Sequence, residues 1–137
     1  TRQMAQMGAQ FSATDYLRAK DTLNATAGRM QKFHARYDVL LSPVLTKKTA
    51  RLGWLNMNAS DLNNYGGRYR SYSGFTALYN GTGQPSASLP MRIGANGLPV
   101  GVMATAAWGG DALLLQFARQ LEEARPWPLL APMAVSE

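Results

Sequence analysis

Apolar residues recur at three- and four-residue intervals in two long stretches of this chain, and they run continuously or alternate in shorter ones between. In the first stretch, about 13–35, Tyr16, Ala19, Leu23, Ala27, Met30 and Phe33 fall on one stripe of a 3.6-residue helix, the face that would meet a core. Ser12 and Asp15 stand at capping-box spacing at its start, with Asp shorter than the preferred Glu. Residues 4–11 ahead of it read as the tail of another helix, loosened at Gly8. The second stretch, about 111–124, lines up Leu114, Phe117, Ala118 and Leu121. Asp111 suits its positive N-terminal end, and Pro126-Trp127-Pro128 stops it.

Between the two helices the period changes. Tyr37-Asp38-Val39-Leu40-Leu41-Ser42-Pro43 is an apolar run closed by a proline, the pattern of a strand buried on both faces in a parallel or mixed sheet. Ligands of such sheets bind beyond the carboxyl ends of the strands, which directs attention to Ser42, Pro43 and the loop after them. Residues 46–58 are irregular, with Lys47, Lys48 and Arg51 expected in solvent and Leu52, Trp54 and Leu55 packed. Ser60 or Asp61 caps a short helix that Gly66-Gly67 interrupts, and a second helical piece covers 73–79, ending before Gly81. Residues 80–102 then form a Gly/Pro-rich loop, an extended run, an Asn96-Gly97 turn and a return run, which is a hairpin signature. Pro85, Pro90 and Pro99 sit at the ends of those runs, where a missing N–H matters least. The return run, about 99–107, is small and apolar enough to be a central strand. The elements together define an α/β chain.

Composition narrows the function. At 137 residues the chain is long enough for one core, and with 46% apolar and 16% charged residues it is not a disordered sequence. It has no Cys and one His, so it offers no disulfide framework, no thiol nucleophile and no ligand spacing for a metal. No apolar run reaches membrane-spanning length and no signal peptide is present, which makes a cytoplasmic protein the expectation. The first residue is Thr1 and not Met, as in a fragment or a processed product. A net charge of +6 invites a nucleic-acid reading, but the basic excess lies entirely before residue 101 and the rest is net acidic. Arg68, Tyr69 and Arg70, flanked by Tyr65 and Tyr72, interleave bases with aromatics as single-strand binders do. No RNA-binding signature accompanies them, so a packed surface segment outweighs that reading. A basic nucleic-acid-binding module and a non-catalytic interaction domain remain the alternatives.

Catalytic groups are sparse. The sole His34 lies on the long helix, where an ordinary surface or half-buried residue is the better account. There is no Gly-x-Ser-x-Gly elbow and no Ser-x-x-Lys. Glu122 and Glu123 are neighbours on a helix and diverge. Gly81-x-Gly83 is too short for a dinucleotide fingerprint, and Pro85 falls where the phosphate-binding helix would begin. The chain therefore holds no self-sufficient active site.

A set of pieces in register gives the sequence a family. Ser12-Ala13-Thr14-Asp15-Tyr16 with Ala19, then Tyr37 to Pro43, Phe75-Thr76, Asn80-x-Thr82-Gly83-Gln84-Pro85, Ser88-x-Pro90 and Gly97-Leu98-Pro99-Val100-Gly101 resemble the C-terminal part of amidase signature hydrolases. Gly110-Asp111, Leu114-Leu115, Leu121-Glu122 and Pro126-Trp127 continue the likeness across nearly the whole chain. The resemblance implies a mixed β-sheet core covered by helices, of which residues 1–137 supply one C-terminal subdomain packed on an N-terminal part not in this sequence. It implies hydrolysis of a small-molecule carboxylic amide through a serine acyl-enzyme. A lysine acts there on a bridging serine held by a cis peptide, and that serine activates the nucleophile; all three lie upstream. No catalytic residue, metal or cofactor is expected here, and no membrane; a homo-oligomer is compatible with the family. The matching region lines the substrate cleft, with Trp54, Tyr72, Ser73, Phe75 and Thr76 as wall residues and Asn80, Gly83, Pro85, Gly97 and Gly101 as its structural frame. In glutamine-using, transfer-RNA-linked members an aspartate stands seven residues before the Asn of Asn-x-x-Gly-x-Pro. Ser73 stands there in this chain, so a substrate ammonium has no counter-charge at that position.

Overall fold

The computed structural model describes residues 2–95 and 97–128. Two helices come first, α1 (Arg2–Gly8) and α2 (Ala13–His34), followed by the short strand β1 (Leu40–Pro43). Helices α3 (Leu62–Tyr72) and α4 (Thr76–Thr82) lead into the hairpin strands β2 (Ser86–Ile93) and β3 (Pro99–Thr105), and α5 (Asp111–Ala124) closes the order.

The start of α2 carries the capping box its sequence announces. Asp15 N–H donates to Ser12 Oγ at 3.1 Å, and the Ser12 N–H and hydroxyl donate to Asp15 Oδ2 at 3.0 and 2.6 Å. The predicted apolar stripe is covered only toward the C-terminal half, where Ala27 is buried and Met30 and Phe33 are half-buried. Tyr16 stays 61% exposed, because no element of the described residues lies over the first turns, and Leu23, only partly covered, is 43% exposed. Leu23 still makes one contact: a Cβ built on Gly81 of α4 would stand 2.8 Å from its Cδ2, so α4 approaches α2 where it has no side chain.

In the sheet, β3 lies between β1 and β2. It pairs antiparallel with β1 from Leu40↔Thr105 to Pro43↔Val102, and antiparallel with β2 from Ser86↔Thr105 to Ile93↔Pro99, with a bulge between Pro90 and Arg92. The predicted hairpin is therefore present. Its turn residue Asn96 lies outside the described residues; beside it Gly97 takes φ 74° and Gly94 N–H donates to Leu98 O at 2.8 Å. The predicted two-sided burial of β1 does not hold: Leu41 is 56% exposed, since only β3 and one covered face meet this strand.

The core forms where α5 lies on the sheet. Leu89, Ala104, Ala106 and Leu114 are buried together, with Val39, Ala87, Phe117, Ala118 and Leu121 packed against them. The α5 stripe read from the sequence is this contact. Each of the larger side chains contributes roughly 1.5–3 kcal/mol by leaving water.

Two helix boundaries differ from expectation. Gly66-Gly67 does not interrupt α3, whose N-cap Asp61 accepts from Asn64 N–H at 3.0 Å. The next helix begins at Thr76 and not at residue 73, because Ser73 still belongs to the end of α3, its N–H donating to Tyr69 O at 2.9 Å. It also runs through Gly81 to Thr82 and stops at Gly83, whose left-handed φ of 75° lets its N–H reach Tyr79 O at 2.8 Å. Among the described residues no helix is long and apolar enough to cross a membrane.

Replacing Gly83 with Ala forces a Cβ into the left-handed region and should cost about 1–2 kcal/mol in chemical denaturation, with Gly83→Asn costing less. Hydrogen bonds from the Ser12 side chain, then its backbone, hold the Asp15 carboxyl below its ordinary value of 3.8. A lowered folded-state value means that the cap stabilises α2 above the unfolded value and loses that effect as pH falls through the folded one. Thermal unfolding of Asp15→Asn should therefore lack a small loss of stability that the unaltered protein shows below about pH 4.

Candidate functional site

Helix α3 ends with carbonyls that no later turn can bond. The loop after β1 returns to satisfy them. Thr46 N–H donates to Tyr72 O at 3.1 Å, and the Thr46 hydroxyl reaches the carbonyls of both Ser71 and Tyr72. Gly74 permits the approach, for a Cβ there would stand 2.8 Å from Thr46 Cγ2. Further along, Ala50 N–H donates to the Tyr72 hydroxyl at 3.1 Å.

This lacing sets Trp54 edge-on against Tyr72, with ring centroids 5.9 Å apart and planes at 66°. Two cations flank the indole. Lys47 Nζ lies 5.6 Å from the ring centroid and donates to Ser71 Oγ at 3.3 Å. The Arg68 guanidinium lies 5.7 Å from the same ring and donates to Trp54 O at 3.1 Å. The result is a cleft of about 230 Å³ lined by Lys47, Lys48, Ala50, Arg51, Trp54 and Tyr72.

Of the five wall residues expected from the sequence, Trp54 and Tyr72 line this cleft. Ser73, Phe75 and Thr76 occupy the α3–α4 junction behind it: Ser73 Oγ donates to Tyr69 O at 3.0 Å, half-buried Phe75 precedes α4, and Thr76 Oγ1 donates to Ser73 O at 3.3 Å. Lys47, Lys48 and Arg51 are exposed, as read from the sequence, and also line the cleft, whereas Leu52, expected to pack, is fully exposed. The usable signal was three bases within five residues just ahead of a tryptophan.

The five frame positions are spread along α4 and the hairpin. Asn80 is an exposed residue of α4, Gly83 ends that helix, and Pro85 O accepts from Ala106 N–H at 3.2 Å. Gly97 serves the hairpin turn with φ 74°, and a Cβ on Gly101 would lie 2.9 Å from Ser88 Oγ and 3.3 Å from Val44 Cγ2. Sequence reasoning missed the buried polar pair beside them. Thr82 Oγ1 lies 2.8 Å from Gln84 Oε1, Trp108 Nε1–H donates to Thr82 O at 2.7 Å, and Gln84 Nε2 has no partner among the described residues.

Other candidate chemistry is dispersed. His34 Nδ1 lies 3.1 Å from Tyr37 O, a carbonyl that can only accept, so the contact is a local one within the chain turn after α2. Tyr65 and Tyr69 stack on each other at 6.2 Å, and Arg68 is committed to Trp54. Among the described residues no three His, Cys, Asp or Glu side chains gather as a metal site.

The described residues thus form a small antiparallel sheet with α5 on one face, and the loop after β1 carries the cleft. The model of the amidase family matches residues 1–115, and the chain belongs to that family. The putative amidase AmiC of Mycobacterium leprae is 46% identical over 99 residues, which is 72% of this chain and 21% of that protein. The 6-aminohexanoate-cyclic-dimer hydrolase of Paenarthrobacter ureafaciens is 33% identical over 140 residues, 98% of this chain and 28% of its own length. A solved structure of 6-aminohexanoate cyclic dimer hydrolase superposes with a TM-score of 0.78 at 33% identity, covering 91% of this chain and 27% of that one. The chain thus spans about a quarter of the length of these relatives. The α/β fold class read from the sequence agrees with these neighbours.

Tyr72→Phe removes the acceptor of the Ala50 N–H in a part-buried place, and should destabilise the protein by about 1 kcal/mol in urea denaturation.

Proposed function

We propose that this chain is the part of an amide hydrolase that supplies sheet core and a wall of the substrate cleft, while the catalytic groups reside in a portion this sequence does not contain. The observation that carries this reading is the family match over residues 1–115, joined to likeness over 98% of the chain with a 6-aminohexanoate-cyclic-dimer hydrolase. The reaction is acyl transfer. A serine hydroxyl, activated through a second serine and a lysine, attacks the amide carbonyl, and the C–N bond breaks as the amine leaves with a proton. Water then cleaves the acyl ester and frees the serine. Backbone N–H groups placed at the developing oxyanion would supply the larger electrostatic share of the rate.

This chain's own side chains hold and orient in that scheme. Trp54 and Tyr72 present a rigid aromatic surface whose geometry is fixed by the backbone bonds of Thr46 and Ala50. Ser73, Phe75 and Thr76 support that surface from the helix junction. With Ser73 in place of a carboxylate, glutamine is a poor substrate and amides without an ammonium are preferred. The protein works in the cytoplasm on this reading.

The test is hydrolysis of a panel of carboxamides by the whole enzyme, with ester as a second class. Replacement of the nucleophilic serine should abolish turnover, and Trp54→Ala should raise KM about tenfold with kcat much less affected, the signature of lost ground-state and transition-state binding alike. Purified residues 1–137 should show no turnover. Measurable hydrolysis by that chain alone would overturn the division of labour.

A further inference from the structure

The cleft beside Trp54 has a floor and a rim of different chemistry. Ala50, Trp54 and Tyr72 make the floor apolar, and Lys47, Lys48 and Arg51 stand around it. The only ion pair among the described residues joins Arg119 to Glu123, far along the chain on α5, so no described carboxylate lies within salt-bridge distance of the three rim cations. Like charges gathered round one concavity raise the local potential and favour an incoming anion. The Tyr72 hydroxyl accepts from Ala50 N–H, which leaves its own proton to donate.

Two of the neighbouring cations already have work. Arg68 binds Trp54 O and the indole face, and Lys47 shares that face and Ser71 Oγ. The Lys48 and Arg51 side chains make no hydrogen bond or ion pair with the described residues, and the backbone of Arg51 accepts only from Trp54 N–H at 3.1 Å. We infer that this cleft is a subsite for a carboxylate carried on a planar, apolar body: the body lies against Trp54 and Tyr72, and the carboxylate meets Arg51, Lys48 and the Tyr72 hydroxyl. A guanidinium fork suits a carboxylate better than a point charge does, so Arg51 is the anchor. That the carboxylate belongs to the amide substrate, on the acyl or the amine side, rests on the function proposed above; the binding itself does not.

The experiment is a titration of the isotope-labelled protein with phenylacetate and with its neutral isostere phenylacetamide. The signal is the indole N–H resonance of Trp54, identified by its loss in Trp54→Phe. Phenylacetate should move it saturably and bind about tenfold more tightly than phenylacetamide at low salt, with the difference erased at about 1 M salt, where the screening length is about 3 Å. Lys48→Gln with Arg51→Gln should bring the two ligands to equal affinity without dispersing the rest of the spectrum. Equal affinities in the unaltered protein, no movement of Trp54, or a preference that survives both substitutions would each overturn the inference. A short oligothymidylate that saturates the same resonance more tightly than phenylacetate would also overturn it, in favour of a polyanionic partner. No turnover enters these measurements, so a failure to hydrolyse amides removes the proposed function and leaves this result standing.

Discussion

The structure depends on how little side chain β3 carries. A strand that pairs on both edges and takes a helix on one face has little room for bulk on that face, and this one presents Ala104, followed by Ala106, to α5. Ala104, Thr105 and Ala106 have no exposed surface at all. At Gly101 even a methyl group would press on Ser88 from β2 and on Val44, the residue after β1. Side chains from beside both outer strands close over that one position. Because Pro43 lies opposite Val102, it also fixes where β1 ends and where the loop to the cleft departs.

The cleft is built on a second constraint, the unbonded carbonyls at the end of α3. Thr46 supplies both an N–H and a hydroxyl to them, acting as a cap delivered from another part of the chain. Lys47 follows and lies at the negative end of the same helix, a favourable place for a cation even without a ligand. The aromatic surface of Trp54 and Tyr72 is thus a product of backbone accounting. Its rigidity comes from the helix end, and the loop residues themselves have few apolar contacts.

Periodicity made the well-packed elements legible. The α5 stripe, the Ser12–Asp15 box and the hairpin around Gly97 are each set by neighbours within a few residues, and each appears in the structure. The stripe of α2 was legible as a pattern but not as burial, because Tyr16 and Leu23 need a covering element that no local sequence specifies. Gly66-Gly67 misled for the opposite reason: two poor helix formers are carried through α3 by the Asp61 cap ahead of them and by Arg68 and Tyr72 tying its end to the loop. In the site, Trp54 and Tyr72 were legible as aromatics, and their meeting was not, since it depends on hydrogen bonds between residues more than twenty apart. The rim cations were legible as solvated charges, and all three are exposed, but their gathering round one concavity was not legible because charge density alone does not specify it.

The two outer strands leave the sheet with unequal borders. Along β2 the border carries Pro90, which has no N–H to offer, and then a bulge that throws the alternation out of step before Arg92. Along β1 the first three positions, Leu40, Leu41 and Ser42, keep every backbone donor and acceptor in regular order, and only Pro43 at the far end lacks one. The two borders therefore differ in what they offer a neighbouring strand: β1 keeps a regular row of backbone groups, and β2 is blunted by its proline and its bulge.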